Sequence, residues 1–434
     1  MAQQEEVKTN VQIIGGGLAG SEAAYYLLRR GYSVTMFEAR PEYKDEAHHT
    51  ELLGELVCSN SLKSKSLENA CGLLKEEMRH MGSLTMESAA LSEVPSGNAL
   101  SVDRDAFAEF NTAKLLSFPN FRLIHKEIAE LGDAPTILAT GPLTSPDLLM
   151  HLSELVGRNS LSFFDASAPI VAKDSIDFSK AYYKSRYEQG DEAYINCPFT
   201  REEYFAFVHE LTHAEKALVH EFDTQYFEGC LPVEVLASRG VETLRHGPLK
   251  PFGLWREGYP RPYAVAQLRQ DTKLGDYFNI VGFQTNLTYS EQRRVFSMIP
   301  GLEHAEYLRF GLMHRNAYID SPHALNEDLS LKAKDNVFLA GQLSGVEGYV
   351  ESAAMGILSA VYLDRKLRGL PFRPVSKLTM LGALVDYVLH YTGNRFEPMN
   401  ANWALIPGAD KKNRLPAVER SLALIDAFME EKNG

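Results

Sequence analysis

The chain is poor in cysteine. Its 434 residues include only four, and they are widely spaced: Cys58, Cys71, Cys197 and Cys230. They form neither a C-x-x-C pair nor a zinc-binding spacing, so we expect no metal site and no paired thiols of the disulfide-reductase kind. So few cysteines also argue against a secreted scaffold held by disulfides and favour a reducing, cytoplasmic environment.

Long apolar runs are lacking as well. No segment approaches the roughly 20 consecutive apolar residues that a membrane-spanning helix requires. The first residues, MAQQEEVKTN, are polar and acidic, and they do not have the pattern of a signal peptide. The sequence therefore predicts a cytoplasmic protein without a membrane partner.

Basic residues are outnumbered by acidic residues over the whole chain, 44 to 57, and the formal net charge is −13 at pH 7. Affinity for nucleic-acid phosphates comes largely from Lys and Arg, so we expect no DNA partner. Residues 239–315 are a local exception, with eleven Lys or Arg residues against seven Asp or Glu residues. This excess is either a solvated basic face or a docking surface for an anion.

Apolar residues, by contrast, make up 45% of the chain, enough to bury the cores of roughly two to three domains. The opening segment VQIIGGGLAGSEAAYYLLRRGYSVTMFEAR has the pattern of a strand, a glycine turn, a helix and a second strand. Further along, SLENACGLLKEEMRHMGSLTMESAA is predicted to be mostly helical, and FRLIHKEIAEL to contain a short strand pair.

A dinucleotide-binding loop is predicted in the opening unit. Gly15, Gly17 and Gly20 form G-x-G-x-x-G between strand and helix, a pattern that allows a tight turn and close approach to a pyrophosphate. Glu38 ends the second strand, where it would accept hydrogen bonds from a ribose and disfavour a 2′-phosphate, so FAD or NAD is preferred over NADP. The predicted cofactor contacts of this unit are Gly15, Gly16, Gly17, Leu18, Ala19, Gly20, Glu38 and Arg40.

Two later glycine turns favour FAD over NAD, because they indicate a cofactor domain that is interrupted and then resumed. ILATGP lies near residue 140, and FLAGQLSGVEGYVESAAMG follows some 320 residues after the first loop. The helix that opens near Gly348 would point its N-terminus at the flavin, and Tyr349 would either lie against the isoalloxazine ring or pack in the ordinary way. The cofactor contacts predicted here are Gly141, Gly341, Gln342, Gly348 and Tyr349.

The predicted fold class is therefore α/β. It combines a discontinuous Rossmann-like FAD-binding domain of the two-dinucleotide-binding type, residues 1–173 and 325–434, with an α+β insertion domain, residues 174–324. The insertion is distinguished by frequent aromatic residues and hairpin-like runs such as RPYAVAQLRQD and YFNIVGFQTNL.

Several blocks spread over nearly the whole chain resemble one family. They include GGGLAGSEAAYYL, ELVCSNSLKSKSLENACGLLKEEMR, YFEGCLPVEVLASRG and GQLSGVEGYVESAAMG. Together they resemble the folate- and FAD-dependent tRNA (uracil-5-)-methyltransferase family, TrmFO, which is related to the larger MnmG flavoproteins. A branch that methylates ribosomal RNA shares this scaffold.

The resemblance implies methylation of C5 of uridine 54 in the T loop of tRNA. The carbon would come from 5,10-methylenetetrahydrofolate and the electrons from reduced FAD, which NADH or NADPH would regenerate. A methylene group is two electrons more oxidised than a methyl group, so a redox cofactor is required. The same chemistry on ribosomal RNA, a flavin oxidoreductase without an RNA substrate, and a noncatalytic RNA chaperone stay open as alternatives.

The resemblance also implies a role for two of the cysteines, Cys58 and Cys230. Uracil C5 becomes nucleophilic when a thiolate adds at C6, and a base must later remove the C5 proton. We assign Cys230 as the nucleophile and Cys58 as the acid/base partner, with the reverse assignment left open. Cys71 and Cys197 are expected to be buried small hydrophobes.

Four further polar residues are weaker candidates. His48 and His49, in the loop before Cys58, are either folate-binding or structural. Arg269 and Arg315 are either contacts for the folate tail or RNA phosphates, or members of ordinary salt bridges.

Overall fold

The computed structural model describes residues 8–43, 47–157, 160–166, 168–186, 194–217, 231–258, 260–272, 275–311, 313–393, 396–410 and 412–430. Two six-stranded sheets organise these residues, and each sheet has its own hydrophobic core. The fold is therefore α/β, as the sequence predicts.

The strands are β1 Lys8–Ile14, β2 Tyr32–Glu38, β3 Ser61–Ser64, β4 Glu93–Val94, β5 Ala99–Val102, β6 Phe121–His125, β7 Thr136–Leu138, β8 Ser160–Ala166, β9 Ile170–Ala172, β10 Tyr182–Tyr183, β11 Tyr194–Phe199, β12 Ala264–Gln270, β13 Tyr277–Ile280, β14 Tyr307–Arg309, β15 Met313–Ile319, β16 Ser330–Leu331 and β17 Lys334–Leu339.

The helices are α1 Leu18–Leu28, α2 Ala70–His80, α3 Leu84–Ser92, α4 Arg104–Leu116, α5 Pro146–Val156, α6 Arg201–His213, α7 Val233–Ser238, α8 Thr243–His246, α9 Tyr289–Phe296, α10 Ser321–Ala324, α11 Tyr349–Leu367, α12 Met380–His390 and α13 Leu415–Met429. Within the described ranges, no helix combines the length and hydropathy of a membrane span.

The first sheet carries the predicted nucleotide-binding unit. Its order is β16-β17-β7-β1-β2-β6, and β1 runs parallel to both β2 and β7. All eleven residues of α1 are buried, because this helix lies between the sheet and α11. The strand–turn–helix–strand prediction for the opening segment is confirmed, and so is the return of the chain through β17 and α11.

The second sheet has the order β10-β11-β12-β13-β9-β14 and is antiparallel at every pair. Its core runs from Ala168 to Leu302, whereas the first core contains residues from Val11 to Leu152 and from Ala317 to Phe428. The antiparallel ribbon of β8 and β15 connects the parts of the chain that form these two cores. The division at residues 173/174 and 324/325 stays a prediction.

One local prediction is wrong. FRLIHKEIAEL forms only one strand, β6, and the residues that follow His125 do not fold back to pair with it. The reason is that β6 pairs in parallel with β2 across the first sheet. Its partner therefore comes from a distant part of the chain, and no hairpin is needed.

Candidate active site

The glycine loop between β1 and α1 is shaped by close backbone contacts. Gly15 has φ +103°, and a Cβ there would lie 2.5 Å from the carbonyl oxygen of Ala139. A Cβ on Gly20 would lie 1.9 Å from the carbonyl oxygen of Gly15, so helix and loop could not approach as they do. A Cβ on Gly17 would meet no described atom within 4 Å. The loop is thus tightly packed at Gly15 and Gly20 and open to the cavity at Gly17.

The open side of the loop is suited to an anion. Gly17 is the N-cap of α1, and the first turn of this helix contains no acidic residue. The N-terminal amide groups of a helix and its dipole favour phosphate groups. The N-terminus of α11, capped by Gly348, borders the same cavity.

Glu38 closes one side of the cavity. Its Oε2 accepts a hydrogen bond from the Gly16 amide at 2.8 Å, and its Oε1 accepts from Nε and the backbone amide of Arg40 at 2.8 and 3.1 Å. Burial raises the pKa of Glu38, but the hydrogen bond and charge of Arg40 outweigh it and leave the pKa below its usual value. The carboxylate therefore stays ionised, and Oε2 keeps one lone pair for a ribose hydroxyl.

Arg40 holds two carboxylates together. Its Nε lies 2.8 Å from Glu38 Oε1, and its Nη1 lies 2.9 Å from Glu55 Oε2. The guanidinium also donates to the carbonyl groups of Thr50 and Leu52. With its side chain only 6% exposed, Arg40 positions Glu38 and the loop that leads to Cys58.

A cavity of about 430 Å³ connects these groups, a volume within the usual range for ligand sites. Of the predicted cofactor contacts, all but Gly20 line it. These are Gly15, Gly16, Gly17, Leu18, Ala19, Glu38, Arg40, Gly141, Gly341, Gln342, Gly348 and Tyr349. Gly20 lies beneath the loop against Gly15. Which of these residues contact a cofactor stays a prediction.

Cys58 lies in the loop before β3. Its side chain is partly exposed and lines the cavity. The hydroxyl oxygen of Tyr349 accepts hydrogen bonds from the backbone amides of Cys58 at 2.6 Å and of Ser59 at 3.1 Å. Burial, followed by the charge of Cys58, raises the pKa of Tyr349, so the phenol stays protonated. The first residue of α11 thus holds the thiol-bearing loop in place.

Lys63 is a cavity-lining residue that the sequence pattern did not single out. It has φ +61°, a backbone conformation that costs about 1 to 3 kcal/mol for a residue other than glycine. Its Nζ lies 3.0 Å from Oε1 of Glu351, in the first turn of α11. The strained backbone places a cation beside the cavity, and no local sequence signal announces it.

The second sheet reaches the Cys58 loop through β12. Arg269 donates from Nη2 to Ser59 Oγ at 2.7 Å and from Nε to Asn60 Oδ1 at 3.1 Å. Asn60 in turn donates to the carbonyl oxygen of Gln270 at 2.9 Å. Arg269, a candidate from the sequence, lines the cavity. Its hydrogen bonds are to Ser59 and Asn60, the two residues that follow Cys58.

Arg309, at the end of β14, is a buried cation whose guanidinium is only partly satisfied. Its Nε and Nη2 are sealed from solvent and have no hydrogen-bond partner among the described residues. Burial, assisted by the charge of Arg104, lowers the pKa of Arg309 to about 10, while Asp271, Tyr349 and Cys58 act in the opposite direction. A cation with an incompletely hydrogen-bonded guanidinium therefore lies near the thiol.

Comparisons with known proteins identify the family. A family model described as "Glucose inhibited division protein A" matches residues 10–371. The chain is 49% identical over 432 residues to "Methylenetetrahydrofolate--tRNA-(uracil-5-)-methyltransferase TrmFO" of Lactobacillus johnsonii, with 98% of this chain and 99% of that protein covered. It is 48% identical over 422 residues to the protein of the same name from Bacillus cereus, with 97% of each covered. The chain belongs to the TrmFO family.

A solved structure agrees with the fold of this TrmFO-family chain. GidA of Aquifex aeolicus matches 98% of this chain and 74% of its own with a TM-score of 0.71, at 16% sequence identity. A likeness at this identity shows the fold alone. Together with the family match it confirms the predicted fold class.

The four thiols of this TrmFO-family chain are placed very differently. Cys58 borders the cavity, and Cys230 lies outside the described residues. Cys71 and Cys197 are buried, as predicted, and burial raises the pKa of both thiols.

The remaining candidates are less informative. Burial, followed by the charge of Arg309, lowers the pKa of His49, so this imidazole is neutral near pH 7. His48 lines the cavity. Arg315 lies in β15, where it pairs with Phe164 of β8.

Proposed function

We propose that this chain forms 5-methyluridine in tRNA, with 5,10-methylenetetrahydrofolate as carbon donor and reduced FAD as reductant. Proteins that share almost half of its residues over nearly their whole length are named for this reaction. The observation that carries the proposal is that Cys58 lines the glycine-loop cavity, with its backbone held by Tyr349. The proposed target is uridine 54 of the T loop.

The residues present fit FAD. The open face above Gly17 and the N-terminus of α1 suit the pyrophosphate, and the ionised carboxylate of Glu38 suits the adenosine ribose. Gly348 and Tyr349 begin α11 beside Cys58. When bound in this cavity in its reduced form, FAD would supply the two electrons that convert a methylene group into a methyl group.

Two cysteine thiols of the chain carry out the nucleophilic addition and the proton removal that the reaction requires. In our assignment Cys230 adds to C6 of the target uracil, which makes C5 a carbon nucleophile toward the methylene group of the folate. Cys58 then removes the C5 proton, a task that requires a thiolate with some solvent access, while tetrahydrofolate leaves the transferred carbon. The C6–S bond to Cys230 breaks again when the methyl group is complete. The reverse assignment uses the same two sulfur atoms.

The surroundings of Cys58 suit a thiolate. The positive charges of Arg309 and Arg269 lie on the side of the second sheet, and each has Cys58 among the groups that affect its pKa. Nearby cations stabilise the thiolate relative to the thiol. NADH or NADPH as the source of electrons and a cytoplasmic location complete the proposal.

The test is methylation of a T-loop stem–loop transcript by purified, FAD-loaded protein, with 5-methyluridine measured by mass spectrometry of the digested RNA. We expect product only when methylenetetrahydrofolate and NADH or NADPH are present, and none with a transcript carrying cytidine at position 54. Cys58→Ala and Cys230→Ala should abolish product while FAD stays bound. Cys71→Ala and Cys197→Ala are the matched controls and should keep activity.

Two results would contradict the proposal. Product formation by the Cys58→Ala or the Cys230→Ala variant would exclude the two-thiol mechanism. NADH oxidation without methylated RNA, with tRNA and ribosomal RNA transcripts alike, would indicate a flavin oxidoreductase that has no RNA substrate.

A further inference from the structure

A surface of the second sheet combines exposed aromatic rings with positive charge. We call it the aromatic–basic strip, and it consists of Lys184, Arg186, Lys250, Phe252, Trp255, Arg256 and Arg261. The loop that follows α8 supplies most of these residues, and the end of β10 supplies the others. The inference below rests on the proposed function, because it concerns the RNA substrate of the same site.

The two rings of the strip are exposed to solvent. Phe252 is 60% exposed and Trp255 is 42% exposed. A cation accompanies each ring, since Lys250 Nζ lies 5.5 Å from the ring centre of Phe252 and the Arg261 guanidinium lies 5.5 Å from that of Trp255. Large apolar rings left in water and bordered by charge mark an interaction site rather than a core.

The loop that carries the rings is fixed by its neighbours. Arg186 donates from Nη1 to the carbonyl oxygen of Phe252 at 2.8 Å and from Nη2 to that of Lys250 at 2.9 Å. Lys184 Nζ donates to the carbonyl oxygen of Trp255 at 2.9 Å. A base that stacks on either ring would therefore meet a surface that is already ordered, which reduces the entropy lost on binding.

The charge of the strip is opposite to that of the whole chain. Residues 250–261 contain Lys250, Arg256 and Arg261 and a single acidic residue, Glu257, although the formal net charge of the chain is −13. All four side chains belong to exposed residues. A localised excess of cations on an acidic protein directs a polyanion to one place.

The strip leads to the active site along β12. Arg186 Nε donates to Gln267 Oε1 at 3.1 Å. Gln267 and Arg269 are two residues apart on one strand, so their side chains point to the same face about 7 Å apart. Arg269 contacts Ser59, the neighbour of Cys58. The strip is thus linked through two buried side chains of β12, Gln267 and Arg269, to the loop that carries the thiol.

We propose that the aromatic–basic strip is the docking surface for unpaired nucleotides of the RNA substrate. Bases next to the target uridine stack on Phe252 and Trp255, and phosphates contact Lys250, Arg256 and Arg261. Stacking on aromatic rings combined with phosphate contacts is the general mode of binding single-stranded RNA.

Tryptophan fluorescence gives a direct test, because the sequence contains only two tryptophans. Trp403 is the matched control, since the Arg414 guanidinium lies 4.9 Å from its ring centre, while Trp403 Nε1 donates to the carbonyl oxygen of Glu68, which is not part of the strip. The Trp403→Phe protein reports on Trp255 alone, and we expect a T-loop stem–loop RNA to quench its emission. The Trp255→Phe protein should show no RNA-dependent quenching.

A charge variant tests the phosphate contacts. We expect Lys250→Ala/Arg256→Ala/Arg261→Ala to weaken RNA binding roughly tenfold or more and to reduce the slope of log K against log salt by about 2. The control, Lys334→Ala/Lys366→Ala/Arg414→Ala, removes three cations outside the strip and should bind RNA as wild type does.

Wild-type RNA affinity in the strip variant would overturn the inference and would favour a protein partner for the strip. Quenching in the Trp255→Phe protein that equals wild type would overturn it as well. Binding and fluorescence need no turnover. Strip-dependent RNA binding without methylation would therefore refute the proposed reaction while supporting the docking surface.

Discussion

Tyr349 is the residue on which the geometry of Cys58 depends most directly. One phenol oxygen accepts two hydrogen bonds, from the amides of Cys58 and Ser59, across a sequence separation of about 290 residues. Loops that carry reactive groups lose precision when such backbone donors are left unsatisfied. At the scale of single residues, the reactivity of the thiol is therefore coupled to one hydroxyl group.

Tyr349→Phe should lower kcat about tenfold while FAD stays bound, because the loop of Cys58 loses the acceptor of two amides. The expected loss of stability is about 1 to 3 kcal/mol. The rate at which a thiol reagent alkylates Cys58 should also change, and this rate can be followed by peptide mass spectrometry.

Tyr362→Phe is the matched control on the same helix. Its hydroxyl oxygen accepts from the Val375 amide at 3.0 Å in a buried setting away from the cavity. It should lose similar stability without any change in kcat or in Cys58 alkylation. Equal effects of the two variants on kcat would contradict the role given to Tyr349.

Arg309→Leu should stabilise the fold while slowing methylation. The desolvated, incompletely paired guanidinium destabilises the folded state, so we expect its removal to raise the free energy of unfolding by about 1 kcal/mol. The contrasting variant, Arg104→Leu, breaks the ion pair with Asp271 at 3.1 Å and should destabilise the protein. Denaturant unfolding and initial rates measure both effects. Loss of stability in Arg309→Leu would show that its charge is compensated.

At the scale of elements, buried glutamates join helices that are distant in sequence. Glu22 of α1 accepts from the amides of Leu84 and Thr85, at the start of α3. Glu77 of α2 accepts from the amides of Met380 and Leu381, at the start of α12, and from the hydroxyl of Ser421 in α13. Each carboxylate satisfies amides that a helix N-terminus leaves without intrahelical partners.

Glu77 makes stability depend on pH. Burial raises its pKa from 4.5 to about 7, although its hydrogen bonds act in the opposite direction. The folded protein therefore holds a proton that the unfolded chain loses above pH 4.5, and stability falls as pH rises from 4.5 to 7. The contribution is on the order of 3 kcal/mol.

Glu77→Gln should remove this component, so the stability of wild type relative to the variant should decline between pH 5 and pH 7. Ser421→Ala removes a hydrogen bond that favours the carboxylate and should shift the decline to higher pH. Unfolding in urea at a series of pH values measures both. Parallel stability curves for wild type and Glu77→Gln would exclude a raised pKa.

At the scale of the whole molecule, the two sheets meet at the Cys58 loop. The buried amide of Asn60 donates to Val102 in the first part of the structure and to Gln270 beside the second sheet, and it accepts from Arg269. The docking of the two cores and the placement of the thiol therefore share the same hydrogen bonds.

Asn60→Ala should uncouple the two cores. We expect the wild type to unfold in one calorimetric transition and the variant in a broadened or split one, with a loss of about 3 kcal/mol at the contact. In the control, Asn336→Ala, the missing amide bonds only to Gly132 and Ala134, within the first part of the structure. A single sharp transition in Asn60→Ala would show that the cores are joined by other contacts.

Elements whose signal is local could be predicted. The β1–α1–β2 unit, the helix beginning at Tyr349 and the burial of Cys71 and Cys197 follow from apolar periodicity and from glycines that tolerate close backbone contact. The strand pair after Phe121 was predicted wrongly, because the partner of that strand lies across the sheet. Neither the strained backbone of Lys63 nor the incompletely paired guanidinium of Arg309 has any signature in neighbouring residues.

The sequence by itself determined the nucleotide-binding loop, since steric limits at Gly15 and Gly20 act over a few bonds. Blocks spread over nearly the whole chain determined the family resemblance. Only the tertiary structure decided the surroundings of Cys58. Its loop finds hydrogen-bond partners in α11, and β12 supplies partners to the residues beside it. Such partners are selected by how two cores pack, and packing depends on the whole chain rather than on any segment of it.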